Sequence, residues 1–118
     1  METITLERTG GKNVRFKGEL LASASGRWFN GVEQNRWTDY DLYKTDTGKY
    51  VVAISSITCW QGESDRYQVE VCSTPEEVYN FLTDSDGYGY CFSDLAKEVL
   101  QEAVDKEPEF EQVLVEEI

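Results

Sequence analysis

Arg36 to Val71, RWTDYDLYKTDTGKYVVAISSITCWQGESDRYQVEV, reads as three consecutive β-strands joined by short turns. In Arg36–Lys44 the side chains alternate, placing Trp37, Asp39, Asp41 and Tyr43 on one face and Thr38, Tyr40, Leu42 and Lys44 on the other. Burying two carboxylates is costly, so the first face is expected to be the solvated one. Thr45-Asp46-Thr47-Gly48 then forms a hairpin loop, with Gly48 suited to a left-handed backbone. Lys49–Cys59 is the most β-prone run and carries Val51, Val52, Ile54 and Ile57 on both faces. That pattern fits a central strand covered on at least one side by helix. After a turn at Gln61–Asp65, Arg66–Cys72 directs Tyr67, Val69 and Val71 inward.

Outward from these strands, Thr3–Glu7 alternates as a short first strand. Val14 to Ala24 follows as a half-buried one, with Val14, Phe16, Gly18, Leu20, Ala22 and Ala24 on one face. Ser25–Asn35 (SGRWFNGVEQN) breaks the alternation and presents Trp28 and Phe29. It reads as a hairpin loop whose aromatics either meet a partner or fold back over the sheet edge. Thr74-Pro75-Glu76-Glu77 is the sharpest local signal: an N-cap, a proline at the first helical position and a capping box. Val78, Phe81 and Leu82 give this helix its apolar face. Asp84–Tyr90 (DSDGYGY) ends the helix in a loop bearing Tyr88 and Tyr90. From Ser93 a second helix runs to about Glu107, with Leu95, Val99, Leu100 and Ala103 toward the sheet. Beyond Pro108 the tail fits a helix through Phe110, Val113, Leu114 and Ile118, although Val113 and Val115 also suit a strand.

The fold expected is α+β: an antiparallel sheet of about five strands over residues 3–73, then two or three C-terminal helices on one face. At 118 residues the chain makes one domain able to bury a core without metals or disulfides. No signal-peptide pattern opens it, and no run approaches the roughly 18 apolar residues of a membrane span. The location expected by default is the cytoplasm. Its three cysteines, Cys59, Cys72 and Cys91, have no CxxC spacing, and there is no histidine, so no common zinc pattern can be assembled. A Cys59–Cys72 bridge across neighbouring strands is the weaker alternative to three reduced, partly buried thiols.

Lack of histidine also removes the commonest general base and every Ser–His or Cys–His nucleophile pair. Asp39 and Asp41 stand roughly 6–7 Å apart by strand rise. Solvated aspartates, however, lack the burial that raises one pKa for acid–base work. Asp84–Leu95 fails as a calcium loop, because Tyr88 and Leu95 fall where oxygen ligands are needed. No phosphate-binding glycine loop is present. The chain therefore reads as a binding protein and not an enzyme, with no cofactor or metal.

Charge supplies the sharper expectation. The net charge is −12. Residues 1–73 hold ten acids against nine bases, while residues 74–118 hold thirteen acids against Lys97 and Lys106 alone. Asp94, Glu98, Glu102 and Asp105 recur at four, four and three residues, which sets them on one face of the second helix. Successive members lie about 6 Å apart along the axis. Phosphates step about 3.4 Å along one nucleic-acid strand's axis, and further along its backbone. Glu109, Glu111, Glu116 and Glu117 extend the field. A solvated face serving solubility is the plainer reading, yet neighbouring like charges repel by a few tenths of a kcal/mol per pair. A role in binding a basic surface would explain why that cost is tolerated. The partner expected is a basic, nucleic-acid-handling protein, with no direct contact to nucleic acid or membrane. It would be met by the acidic row, including Glu109, or by the Trp37/Asp39/Asp41/Tyr43 stripe. The alternative function is a ligand-binding or structural accessory domain that acts through the Trp28–Phe29 loop and Tyr88/Tyr90, with the acidic face serving solubility only. Free sheet edges also suit pairing in a homodimer.

The succession FKGELLASAS, QNRW, LYKTDTGKYVVAI, WQGE and TPEEV resembles a group of small bacterial proteins carried on plasmids and other mobile elements. The likeness covers roughly residues 14–82. That group has no assigned activity, so no functional residue carries over. The acidic C-terminal part lies outside the likeness. A mobile-element origin would fit small acidic inhibitors of host nucleic-acid enzymes, of the anti-CRISPR or nucleic-acid-mimic type, an association that no motif carries.

Overall fold

The computed structural model describes residues 1–29, 31–84 and 94–114. In chain order the strands are β1 (Glu2–Leu6), β2 (Val14–Ser25), the two-residue β3 (Trp28–Phe29) and β4 (Val32–Glu33), β5 (Arg36–Thr45), β6 (Tyr50–Thr58) and β7 (Arg66–Cys72). Then come α1 (Pro75–Asp84), α2 (Asp94–Lys106), a 3-10 turn at Pro108–Phe110, and α3 (Glu111–Leu114). Five strands form one antiparallel sheet in the order β1-β2-β5-β6-β7, and β3 and β4 form a separate hairpin. The expected α+β architecture is the one observed. Among the described residues no helix is long and apolar enough to cross a membrane.

The β5–β6 hairpin sets the register for the rest. Gly48 takes φ +83° and Lys49 donates its N–H to Thr45 Oγ1, which places Leu42 opposite Val52 and Tyr40 opposite Ile54. Those four residues, with Tyr50 and Cys72, face the helices and are sealed by Val78, Leu82, Ala96, Val99, Leu100, Ala103 and Phe110. The opposite face of the same strands carries a smaller core of Val51, Ala53 and Val69. It exists because the sheet curls. Leu6, Val14 and Phe16 fold over onto it, and Phe16 meets Tyr43 edge-on at 5.5 Å. Beyond β1, the Thr9 N–H donates to the Tyr67 carbonyl at 2.9 Å and Thr9 Oγ1 accepts from the Tyr67 N–H at 2.8 Å. Arg8 Nη2 donates to the Val69 carbonyl at 2.8 Å. The two edge strands thus meet, and this part of β7 is closed to pairing with a second copy.

Three local expectations need correction. In β2 the register slips between Leu20 and Ala22, and a one-residue slip reverses every side chain. Leu21 therefore enters the core while Leu20 is 44% exposed. At the start of α1, Thr74 Oγ1 accepts the Glu77 N–H as a cap, but the Glu77 carboxylate accepts from Ser73, one residue further back than a capping box requires. Cys72 lies opposite Tyr50 at one end of β6, whereas Cys59 follows the other end, so strand pairing separates the two thiols. Burial, then Glu70 and Glu77, pushes the Cys72 thiol up to about 12.

The tail is helical to Leu114, and it is anchored. Phe110 is fully buried and meets Tyr50 edge-on at 5.0 Å. The Tyr50 hydroxyl donates to the Glu109 carboxylate, and Lys44 Nζ donates to Glu107 at 2.5 Å. Residues 115–118, Tyr88, Tyr90 and the Ser93 cap lie outside the described residues.

Gly18 marks where β2 passes closest to β5: a Cβ there would run into the Lys44 carbonyl oxygen. Gly18→Ala is expected to lower stability by about 1–3 kcal/mol, measured as a shift in the urea midpoint with unchanged slope.

Candidate functional site

α2 turns Ala96, Val99, Leu100 and Ala103 into the core. At 100° per residue, Glu98, Glu102 and Asp105 then point the opposite way, and all three are exposed. Asp94 begins the helix in the same register. Small residues set the seat of this helix. Gly26 leaves room for Leu95, whose Cδ1 would lie 3.1 Å from any Cβ at that position. Lys106 Nζ reaches the Leu20 carbonyl at the other end. The row therefore runs the length of the second half of β2. Among the described residues, Glu98, Glu102 and Asp105 join no ion pair; those present are Arg27–Glu33, Arg36–Glu63 and Lys44–Glu107. Glu109 is placed differently. Its carboxylate is held by Tyr50, so it belongs to the anchor of the tail. Burial, followed by Glu109 and Glu107, raises the Tyr50 hydroxyl well above its ordinary range, which keeps it a donor.

The Trp37/Asp39/Asp41/Tyr43 stripe does share one face, with Asp41 opposite Ser23 and Ala53 and Asp39 opposite Ser25 and Ser55. It is not the freely solvated face expected. All four side chains are half-buried, because they lie on the concave side of the curl. Asp39 accepts from the Ser25 hydroxyl and from Trp37 Nε1 at 3.2 Å. Glu98 meets this stripe from α2, and with Ser23, Ser25, Asp39 and Asp41 it lines a cleft of about 400 Å³. Two sets of acids that are far apart in sequence are thereby joined. Among the described residues no group of three or more His, Cys, Asp or Glu is arranged to hold a metal ion.

Burial, and then the neighbouring Asp39 charge, raises the Asp41 carboxyl above its ordinary 3.8. The folded chain binds that proton more tightly than the unfolded chain. This contribution to stability is full below the unfolded value and is lost as pH rises through the folded one. At neutral pH Asp41 therefore opposes folding. Asp41→Asn is expected to stabilise the fold at neutral pH, with the gain shrinking on acidification in paired thermal melts.

The Trp28 loop is a hairpin, with β3 paired to β4 and a turn at Gly31, φ +78°. Trp28 is 61% exposed, so it does not fold back over the sheet edge. Around it stands a constellation that the sequence reading missed. The Arg27 guanidinium lies 5.4 Å over Trp37 and pairs with Glu33 at 2.8 Å. The Arg36 guanidinium lies 5.5 Å over Trp60 and grips Glu63 through Nε and Nη2. That grip raises the Arg36 pKa and lowers that of Glu63. The available signal was the dipeptide Arg-Trp, which occurs twice, at residues 27–28 and 36–37.

The site thus consists of an exposed acidic row, a half-buried acidic cleft beside it and an aromatic–arginine end. Comparison of the chain with protein-family models, curated proteins and solved structures finds no match to any of them.

Proposed function

We propose that this chain is a non-enzymatic, cytoplasmic binding protein that lays the acidic face of α2 on a basic surface of a protein partner. That basic surface is the one the partner uses to hold nucleic acid, so the chain acts as a competitive inhibitor of the nucleic-acid-mimic or anti-CRISPR type. The observation that supports it best is the row Glu98, Glu102 and Asp105, exposed on a helix whose other side is locked into the core and, among the described residues, in no ion pair. Exposed carboxylates on a rigid helix keep their charge available and require little reordering on docking. Asp39 and Asp41, in contrast, are half-buried and lack the exposure of a docking stripe.

The test is capture from bacterial lysate on the immobilised chain at low salt, followed by separate elution with raised salt and with added DNA or RNA. A nucleic-acid-handling protein released by both treatments supports the reading. A partner retained through both contradicts it.

A further inference from the structure

β2 is paired with β1 from Val14 to Gly18 and with β5 from Gly18 to Ser25. Among the described residues no strand lies on the outer side of its second half. In an antiparallel pair, residues that exchange hydrogen bonds alternate with residues whose N–H and C=O point away. The Gly26 N–H donates to the Thr38 carbonyl at 2.9 Å, so Ala24 and Ala22 also turn toward β5. Ser23 and Ser25 therefore direct their backbone N–H and C=O outward, and both residues are exposed. Before the bulge the Asp46 N–H donates to the Lys17 carbonyl, which turns Gly18 and Leu20 outward. Gly18 meets β1, and the Leu20 carbonyl takes Lys106 Nζ.

The cavities show that this edge is open. Ala24 packs toward the helices, whereas Ser23 and Ser25 share the opposite face with Asp41 and Asp39. The cleft of about 400 Å³ touches all of these and Glu98, and a space in contact with both faces of one strand lies along its edge. A second cavity, of about 460 Å³, continues along the same edge against Gly18, Glu19, Leu20 and the start of β1.

Charge decides the occupant. Among the described residues the cleft is lined by Asp39, Asp41 and Glu98 and by no base, and Glu2 and Glu19 line the second cavity. A strand added here would lie one spacing, about 5 Å, from β2 and two, about 10 Å, from β5. Only long cationic side chains reach and neutralise the β5 carboxylates from there. A second copy offering its own β2 edge would bring three more carboxylates to the same place.

We propose that the Ala22–Ser25 edge of β2 receives an extended basic segment of a protein partner as an added antiparallel strand. Segment residues opposite Ser23 and Ser25 exchange backbone hydrogen bonds with them and project to the same face, so these are the lysine or arginine positions. The proposal does not rest on docking through the exposed face of α2, because Glu102 and Asp105 take no part in it.

The probe is a capped octapeptide alternating lysine and threonine, titrated into the full chain and followed by amide resonances and hydrogen exchange. The expected result is saturable binding that slows exchange of the Ser23 and Ser25 amides. Methylating the lysine backbone nitrogens keeps the charge and should weaken binding about tenfold or more. Methylating the threonine nitrogens, which face away from β2, should leave it nearly unchanged. Glu98→Gln should weaken binding several-fold, whereas Glu102→Gln with Asp105→Asn should not. Absence of binding at millimolar peptide would overturn the proposal. So would an equal response to the two methylated peptides, which marks association by charge alone, or equally tight binding of a peptide with glutamate in place of lysine.

Discussion

Phe110→Ala is expected to destabilise the fold by about 3–5 kcal/mol, a large share of the roughly 5–15 kcal/mol that holds a domain together. The ring is fully buried against Tyr50 and is the apolar pin of the last turn. Removing it leaves a cavity under α2 and also frees the segment that holds Glu107 and Glu109 near Lys44 and Tyr50. Glu109→Gln keeps the ring and weakens only one hydrogen bond, so its cost should be nearer 1 kcal/mol. Urea unfolding of both variants, followed by circular dichroism, separates the two effects. A loss below about 1 kcal/mol for Phe110→Ala would mean that the C-terminal segment lies outside the cooperative core.

The second large effect is on binding, and it is set against a small effect of opposite sign on stability. Glu98→Gln, Glu102→Gln and Asp105→Asn together remove the charge of the row while preserving its size. Helical neighbours of like charge repel by a few tenths of a kcal/mol per pair, so the triple variant should melt slightly higher at low salt and lose that advantage at high salt. Partner affinity should fall about a hundredfold, from roughly 1 kcal/mol per lost pair. Gain of stability with loss of binding marks a row kept for docking. A solubility face would show the first without the second.

What was legible in the sequence was local. The β5–β6–β7 succession was visible because alternation and turn residues agree within a few residues of each other, and the Thr74–Pro75 start of α1 because its cap is contiguous. The amphipathy of α2, and with it the acidic row, follows from helical spacing alone. Where long-range geometry enters, the reading stopped short. Leu20-Leu21 allows either residue to face inward, and only pairing with β5 selects the bulge. Asp39 and Asp41 looked solvated because nothing in β5 announces the curl that brings Phe16 and Val14 over the same face. Glu109 looked like a member of the acidic row because its partner, Tyr50, is 59 residues away. The tryptophan–arginine end is assembled from β3, β5 and the residues past β6, and only the repeated Arg-Trp dipeptide hinted at it.

The most direct measurement is the dissociation constant of the captured partner for the wild-type chain and for the triple amide variant, each at low and at raised ionic strength. Docking through the α2 face predicts tight wild-type binding that weakens steeply with salt, and weak variant binding that changes little. Equal affinity for both chains, with the same response to salt, would contradict it.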